Sequence, residues 1–184
     1  MSVMNKSLQF YNYEASYFHY TRCIMNIRQA KKFGEVIVAK PVLILALIDG
    51  VDSGEFTNNV FQLNEWLEKR YETLMRKYTR QSIFPNITDI SNPFWHLESD
   101  GFWHLHYLGE ELSKTHTPSK KWLKENVRYA SFDDDLWMLL QNQVMRQRLR
   151  DYIIEHKLSD DHEGWGSMAA EALGSLTTLL LFAA

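Results

Sequence analysis

Phe10, Tyr13, Tyr17, Tyr20, Ile24 and Ile27 recur at three- and four-residue spacing. That period predicts an amphipathic helix from Gln9 to Phe33. Arg22, Arg28, Lys31 and Lys32 gather toward its end, where the helix dipole favours cations, and Gly34 supplies the stop. The run Val42 to Ile48 is apolar on every side, preceded by Lys40-Pro41 and followed by Gly54. Proline in a first turn and the continuation to Val51 predict a helix rather than a strand. A helix without a polar face has to be central. Asn59 to Leu63 is a short candidate strand. Asn64 to about Arg80 reads as a helix, with Trp66, Leu67, Tyr71, Leu74, Met75 and Tyr78 inward.

Residues 81–91 read as a loop around Pro85-Asn86. The stretch "NPFWHLESDGFWHL" then places two aromatic pentads around Ser-Asp-Gly. Aromatic residues favour strands, and Asp100-Gly101 is a turn signal, so residues 92–107 are expected to form an antiparallel hairpin. Residues 109–121 are polar and loop-like. Trp122 to Glu125 begins a helical turn, and Arg128 to Phe132 is a further strand or extended segment. Ser131 and the acidic stretch Asp133 to Asp135 suit a helix start. Leu136, Leu139 and Leu140 form that helix's apolar side. A last helix runs from Val144 to Lys157, with Leu149, Tyr152 and Ile153 inward. The pattern as a whole predicts one α+β domain over 1–158, mainly helical, with a small antiparallel sheet. Residues 159–184 form a tail, acidic and then apolar, expected to be helical.

Composition narrows the class. The 184 residues are 45% apolar and 23% charged, a globular mixture with enough chain for one core. A single cysteine, Cys23, excludes an intramolecular disulfide and a multi-cysteine zinc site. With no signal-peptide pattern at the N-terminus, the expected setting is the cytoplasm. After Glu171 the apolar-to-neutral run has 13 residues, too few to span a bilayer. Net charge is −3, but residues 1–158 carry 20 basic against 19 acidic side chains. A local basic patch is therefore compatible with the near-neutral body.

The candidate chemistry lies in the aromatic stretch. His104 and His106 share a face on a strand, and His96 on a paired strand would give a three-histidine site of the kind zinc accepts. No His-Glu-x-x-His pattern supports a metal-dependent hydrolase. Nucleophile elbow, glycine-rich phosphate loop and the histidine arrangement of an HNH nuclease are missing from the sequence. The chain is therefore read as non-catalytic, without cofactor or metal. Phe94, Trp95, Phe102 and Trp103 offer two readings, a stacking platform for nucleic acid or a core buried on both faces.

Three ordered segments, "KPVLILALIDGVDSGEFTNN", "PFWHLESDGFWHL" and "DDDLWMLLQNQVMRQRLRDYIIEHKL", resemble the DNA sulfur-binding domain of McrA-type HNH restriction endonucleases. The resemblance implies a module that recognises phosphorothioate DNA by seating sulfur in a small apolar pocket. In that family a Tyr-Pro-Phe-type motif lines the pocket, and a His-Lys/Arg-Pro motif opens the central helix. Here the corresponding residues are Asn92-Pro93-Phe94 and Ala39-Lys40-Pro41. An aromatic wall and a histidine donor are thus replaced, and His96 stands where a small residue would leave more room. The implied pocket comprises Lys40, Pro41, Asn92, Pro93, Phe94 and His96. Lys31, Lys32, Arg76, Lys77 and Arg80 are the expected phosphate contacts. Double-stranded DNA is the implied partner, with a separate nuclease subunit because no nuclease module follows before Ala184. A protein-interaction module that has lost DNA binding is the alternative, and a His-metal hydrolase a second one.

Overall fold

The computed structural model describes residues 12–80, 82, 88–109 and 117–159. Helix α1 spans Tyr13–Met25 and starts at Asn12, whose side chain accepts the Ala15 N–H at 3.0 Å. It ends well before Phe33. Between Ile27 and Gly34 only Ala30 and Phe33 are apolar, so a continued helix would have no face to bury. The chain instead makes two short antiparallel strands, β1 (Lys31–Lys32) and β2 (Glu35–Val36). Gly34, expected as a helix stop, lies in the turn of this hairpin. The sequence around Gln9 that would start the helix lies outside the described residues.

Helix α2, Ala39–Asp52, is the central element, and every residue from Ala39 to Val51 is buried. Helix α3, Glu65–Tyr78, packs along it and is capped by Asn64, which accepts the Leu67 N–H at 2.9 Å. Its inner side is Leu67, Tyr71, Leu74 and Met75. The expected strand before α3 is reduced to one bridge, Phe61 with Ala130.

The predicted hairpin over 92–107 is not formed. Ser91–His96 is a helical turn, α4, followed by a 3-10 turn, Leu97–Asp100. Asp89 accepts the Ser91 N–H at 2.9 Å, and Pro93 occupies the first turn, where its missing N–H costs nothing. Gly101, with φ of 91°, ends the 3-10 turn. Only the second aromatic pentad becomes a strand, β3 (Trp103–Tyr107). Its partner is β4 (Val127–Phe132), which follows helix α5 (Lys120–Asn126). The register pairs Trp103 with Phe132, His104 with Ser131 and His106 with Tyr129.

Helix α6 spans Asp134–Gln141, with Asp133 at its N-cap position. Ser131, expected to open it, belongs to β4 and hydrogen-bonds His106. Helix α7 (Gln143–Ile153) runs on into a π turn, Ile154–Leu158. Asn142 separates α6 from α7 and accepts both the Val144 and Met145 N–H groups. The architecture is the expected α+β type, helices around α2 with, among the described residues, two small antiparallel sheets. No helix among the described residues is long and apolar enough to cross a membrane. The tail beyond Ser159 lies outside them.

Candidate functional site

Asp100 ties together three parts of the chain. One carboxylate oxygen accepts the Lys40 ammonium at 2.6 Å, and the other accepts the Arg28 backbone N–H at 3.0 Å. The Lys40 and Asp100 side chains are 11% and 4% exposed, so this ion pair is nearly out of water. Removing one member would leave the other charge buried and unpaired, which is strongly unfavourable. The pair therefore fixes the start of α2, the segment after α1 and the 3-10 turn against one another. Burial, and then the nearby Lys40 charge, hold the His96 imidazole below its ordinary pKa. His96 Nε2 lies 2.6 Å from Thr117 Oγ1.

The structure brings the six implied pocket residues onto adjoining elements, since α4 packs against α2. They do not stand alike. Asn92 is exposed and His96 is half-buried. Pro41 and Pro93 are buried. Phe94 is turned inward, 1% exposed, with its ring edge-on to Trp103 at 5.3 Å. Trp103 Nε1–H donates to the Phe94 carbonyl at 2.9 Å, which locks α4 onto β3. Phe94 thus faces β3 rather than solvent.

The aromatic stretch as a whole is core. Phe94, Trp95, Phe102 and Trp103 are all buried, so the stacking-platform reading of these four fails. The three-histidine reading fails as well, because His96 is on a helix and not on a strand paired with β3. Each imidazole has its own partner. His104 Nε2 is 2.6 Å from Asp133 Oδ1, and His106 Nε2 is 2.9 Å from Ser131 Oγ. The His106 ring also stacks on Tyr129 at 4.2 Å, and burial, then His104, lower its pKa. Tyr20 O–H donates to the other Asp133 oxygen at 3.2 Å, joining α1 to this network. Among the described residues, no group of three or more His, Cys, Asp or Glu is arranged to hold a metal ion.

The expected phosphate contacts fall into two groups. Lys31 and Lys32 are exposed on the β1–β2 hairpin. Arg76, Lys77 and Arg80 are exposed on and just beyond the last turn of α3. A cleft of about 760 Å³ between the hairpin and the end of α3 is lined by Lys32, Val36, Tyr78 and Thr79 among others. Ser82 O–H donates to Glu35, so the chain beyond α3 reaches the hairpin. Arg76 belongs to a second, smaller cleft with Glu72, Asp89 and Lys120.

Two features escape sequence reading. Asp100 looks like a turn residue, and nothing in its spacing connects it to positions 28 and 40. Asp49 directly follows the apolar run Val42 to Ile48 on α2, and it accepts Arg70 at 2.8 Å and Arg150 at 2.8 Å. Its place as a charge at the end of the apolar run is the available signal for a buried ion-pair hub.

A family model, the ScoMcrA-like DNA sulfur-binding domain, matches residues 20–164. Among solved structures, the sulfur-binding domain of SprMcrA complexed with phosphorothioated DNA is similar with a TM-score of 0.58 and 13% identity. The match covers 78% of this chain and 86% of that one. The sulfur-binding domain of ScoMcrA complexed with phosphorothioated DNA gives 0.58 and 20% identity, over 75% of this chain and 86% of that one. A ScoMcrA structure containing the sulfur-binding and SRA domains gives 0.57 and 20% identity, over 73% of this chain and 41% of that one. No curated protein matches.

Proposed function

The chain belongs to the ScoMcrA-like DNA sulfur-binding domain family, and from that premise we propose that it is a recognition module for phosphorothioate-modified duplex DNA that performs no bond chemistry itself. The observation that carries this reading is the meeting of α2 and α4. There Lys40, paired with Asp100 and followed by the buried Pro41, lies close enough to His96 of α4 for its charge to act on the imidazole, and α4 also carries the exposed Asn92 and the buried Pro93.

A phosphorothioate differs from phosphate by one sulfur, which is larger and less well hydrated than oxygen. An apolar wall costs sulfur little desolvation and oxygen more. Asp100 cancels much of the Lys40 charge, so this spot offers little to attract an ordinary phosphate oxygen. Lys40, Pro41, Asn92, Pro93 and His96 are assigned to the sulfur pocket, with Phe94 holding α4 in place behind it. Lys31, Lys32, Arg76, Lys77 and Arg80 are assigned to phosphates along the backbone, which set affinity and register. The setting would be the cytoplasm.

A mobility-shift titration tests this with two duplexes of one sequence, one carrying a phosphorothioate. The modified duplex is expected to be retained at lower protein concentration, and retention of both should weaken steeply with salt as counterion release becomes less favourable. Equal weak retention of the two removes the sulfur assignment.

A further inference from the structure

The β1–β2 hairpin carries an exposed aromatic residue at its tip. Its two turn residues, Phe33 and Gly34, have φ of 52° and 89°. Positive φ at both central positions is the tight hairpin turn whose twist suits the flanking strands, and asparagine or glycine normally fills the first of them. Phenylalanine there bears a steric penalty, because its Cβ crowds the neighbouring backbone carbonyl. Burial does not repay it, because Phe33 is 70% exposed. A strained, solvent-facing aromatic residue points to a role outside stability.

The surroundings identify the partner. Lys31 and Lys32 precede Phe33, and the Lys32 ammonium lies 5.7 Å from the centre of its ring. Both legs of the hairpin are rooted at the site already described. Arg28, before the first leg, donates its backbone N–H to Asp100, and Lys40, after the second, donates to the same carboxylate. The Ile37 N–H donates to the Ala30 carbonyl at 2.8 Å, and Gln29 Nε2–H to the Ile37 carbonyl at 3.1 Å, closing the base. The hairpin is thus a short arm held at the pocket's edge, with two cations and one ring at its end.

We propose that the hairpin tip is a second DNA-contacting element, in which Phe33 packs against base or sugar edges of the duplex while Lys31 and Lys32 hold the flanking phosphates. This rests on the DNA-recognition reading above. Apolar side chains set among cations are a recurring way to engage a groove without reading sequence. Asp100 then couples the tip to the pocket, since it fixes both the arm and Lys40.

Phe33→Ala, Phe33→Gly, Phe33→Trp and the double variant Lys31→Ala/Lys32→Ala test the proposal in the full chain, on modified and ordinary duplexes across a salt series. Phe33→Ala and Phe33→Gly should weaken binding to both duplexes by at least about fivefold, the low end for removing one aromatic ring from a base. Their salt slope should match wild type, because no charge is removed. Phe33→Trp should retain binding. The lysine variant should weaken binding with a shallower slope, by about 0.9 for each phosphate that is no longer neutralised. Phe33→Gly should also melt at a higher temperature than wild type, separating the weaker binding from unfolding. Wild-type affinity in both Phe33→Ala and Phe33→Gly, with wild-type protein binding DNA, overturns the proposal. Failure of wild-type protein to bind either duplex overturns the DNA reading itself.

Discussion

Gly50 lies in the middle of the central helix, where alanine would ordinarily be worth about 1 kcal/mol more. Its surroundings forbid the exchange. A Cβ at this position would overlap the Phe56 ring and sit 3.0 Å from Trp66 Cζ3. Phe56 cannot simply move aside, being edge-on to Phe61 at 5.0 Å and to Trp66 at 5.8 Å. Overpacking of this kind costs about 1–3 kcal/mol. Gly50→Ala should therefore destabilise by a net of about 1 kcal/mol, read as a lower urea midpoint at unchanged slope. An unchanged or raised midpoint would mean that the rings yield freely. The sequence places Gly50 in α2, but it does not reveal that Phe56 folds back over it.

At the scale of elements, the β3–β4 ribbon is bounded on both edges. Glu98 accepts the Leu105 N–H at 3.1 Å on the β3 side. On the β4 side, Asn59 Nδ2–H donates to the Phe132 carbonyl at 2.8 Å, and its Oδ1 accepts the Phe132 N–H at 2.9 Å. One side chain thus stands in for a neighbouring strand, and Phe61 continues the pairing at Ala130. Asn59→Ala should cost about 2 kcal/mol, from two backbone groups left without partners. Hydrogen exchange at the Phe132 amide should accelerate in parallel, and undiminished protection there would refute the bracket. The hairpin expected over 92–107 fails at this same scale. Its first pentad carries Pro93 in a first turn, with Asp89 upstream, the same kind of cue that identifies α2. Aromatic strand preference points the other way, yet that preference reports packing on a sheet more than any backbone tendency.

The whole molecule should lose stability in mild acid. His96 and His106 both have folded-state pKa values below 6.5, through burial first, aided by Lys40 for His96 and by His104 for His106, with Glu98 opposing at His106. The unfolded chain therefore binds more protons than the native one between those values and 6.5. The stabilisation is complete above about 6.5 and is lost as pH falls through the folded values. Melting temperature should drop from pH 7.5 to pH 5.5, and His96→Gln with His106→Gln should flatten that change. A pH-independent melting temperature over this range would contradict it.

By itself the sequence determined the helices whose period or apolar run was unambiguous, with α2 as the hidden centre. It also determined the α+β class and the ordered motifs that carry the family resemblance. These are local properties, set by side-chain spacing along one segment. Tertiary structure alone decided that the first aromatic pentad is helical, that β3 pairs with β4 rather than with its own neighbour in sequence, and that Asp100 holds positions 28 and 40 together. It alone turned Phe94 inward and left Phe33 on a strained, exposed tip. Such outcomes depend on which distant surfaces meet and exclude water, a quantity that no short window of residues contains.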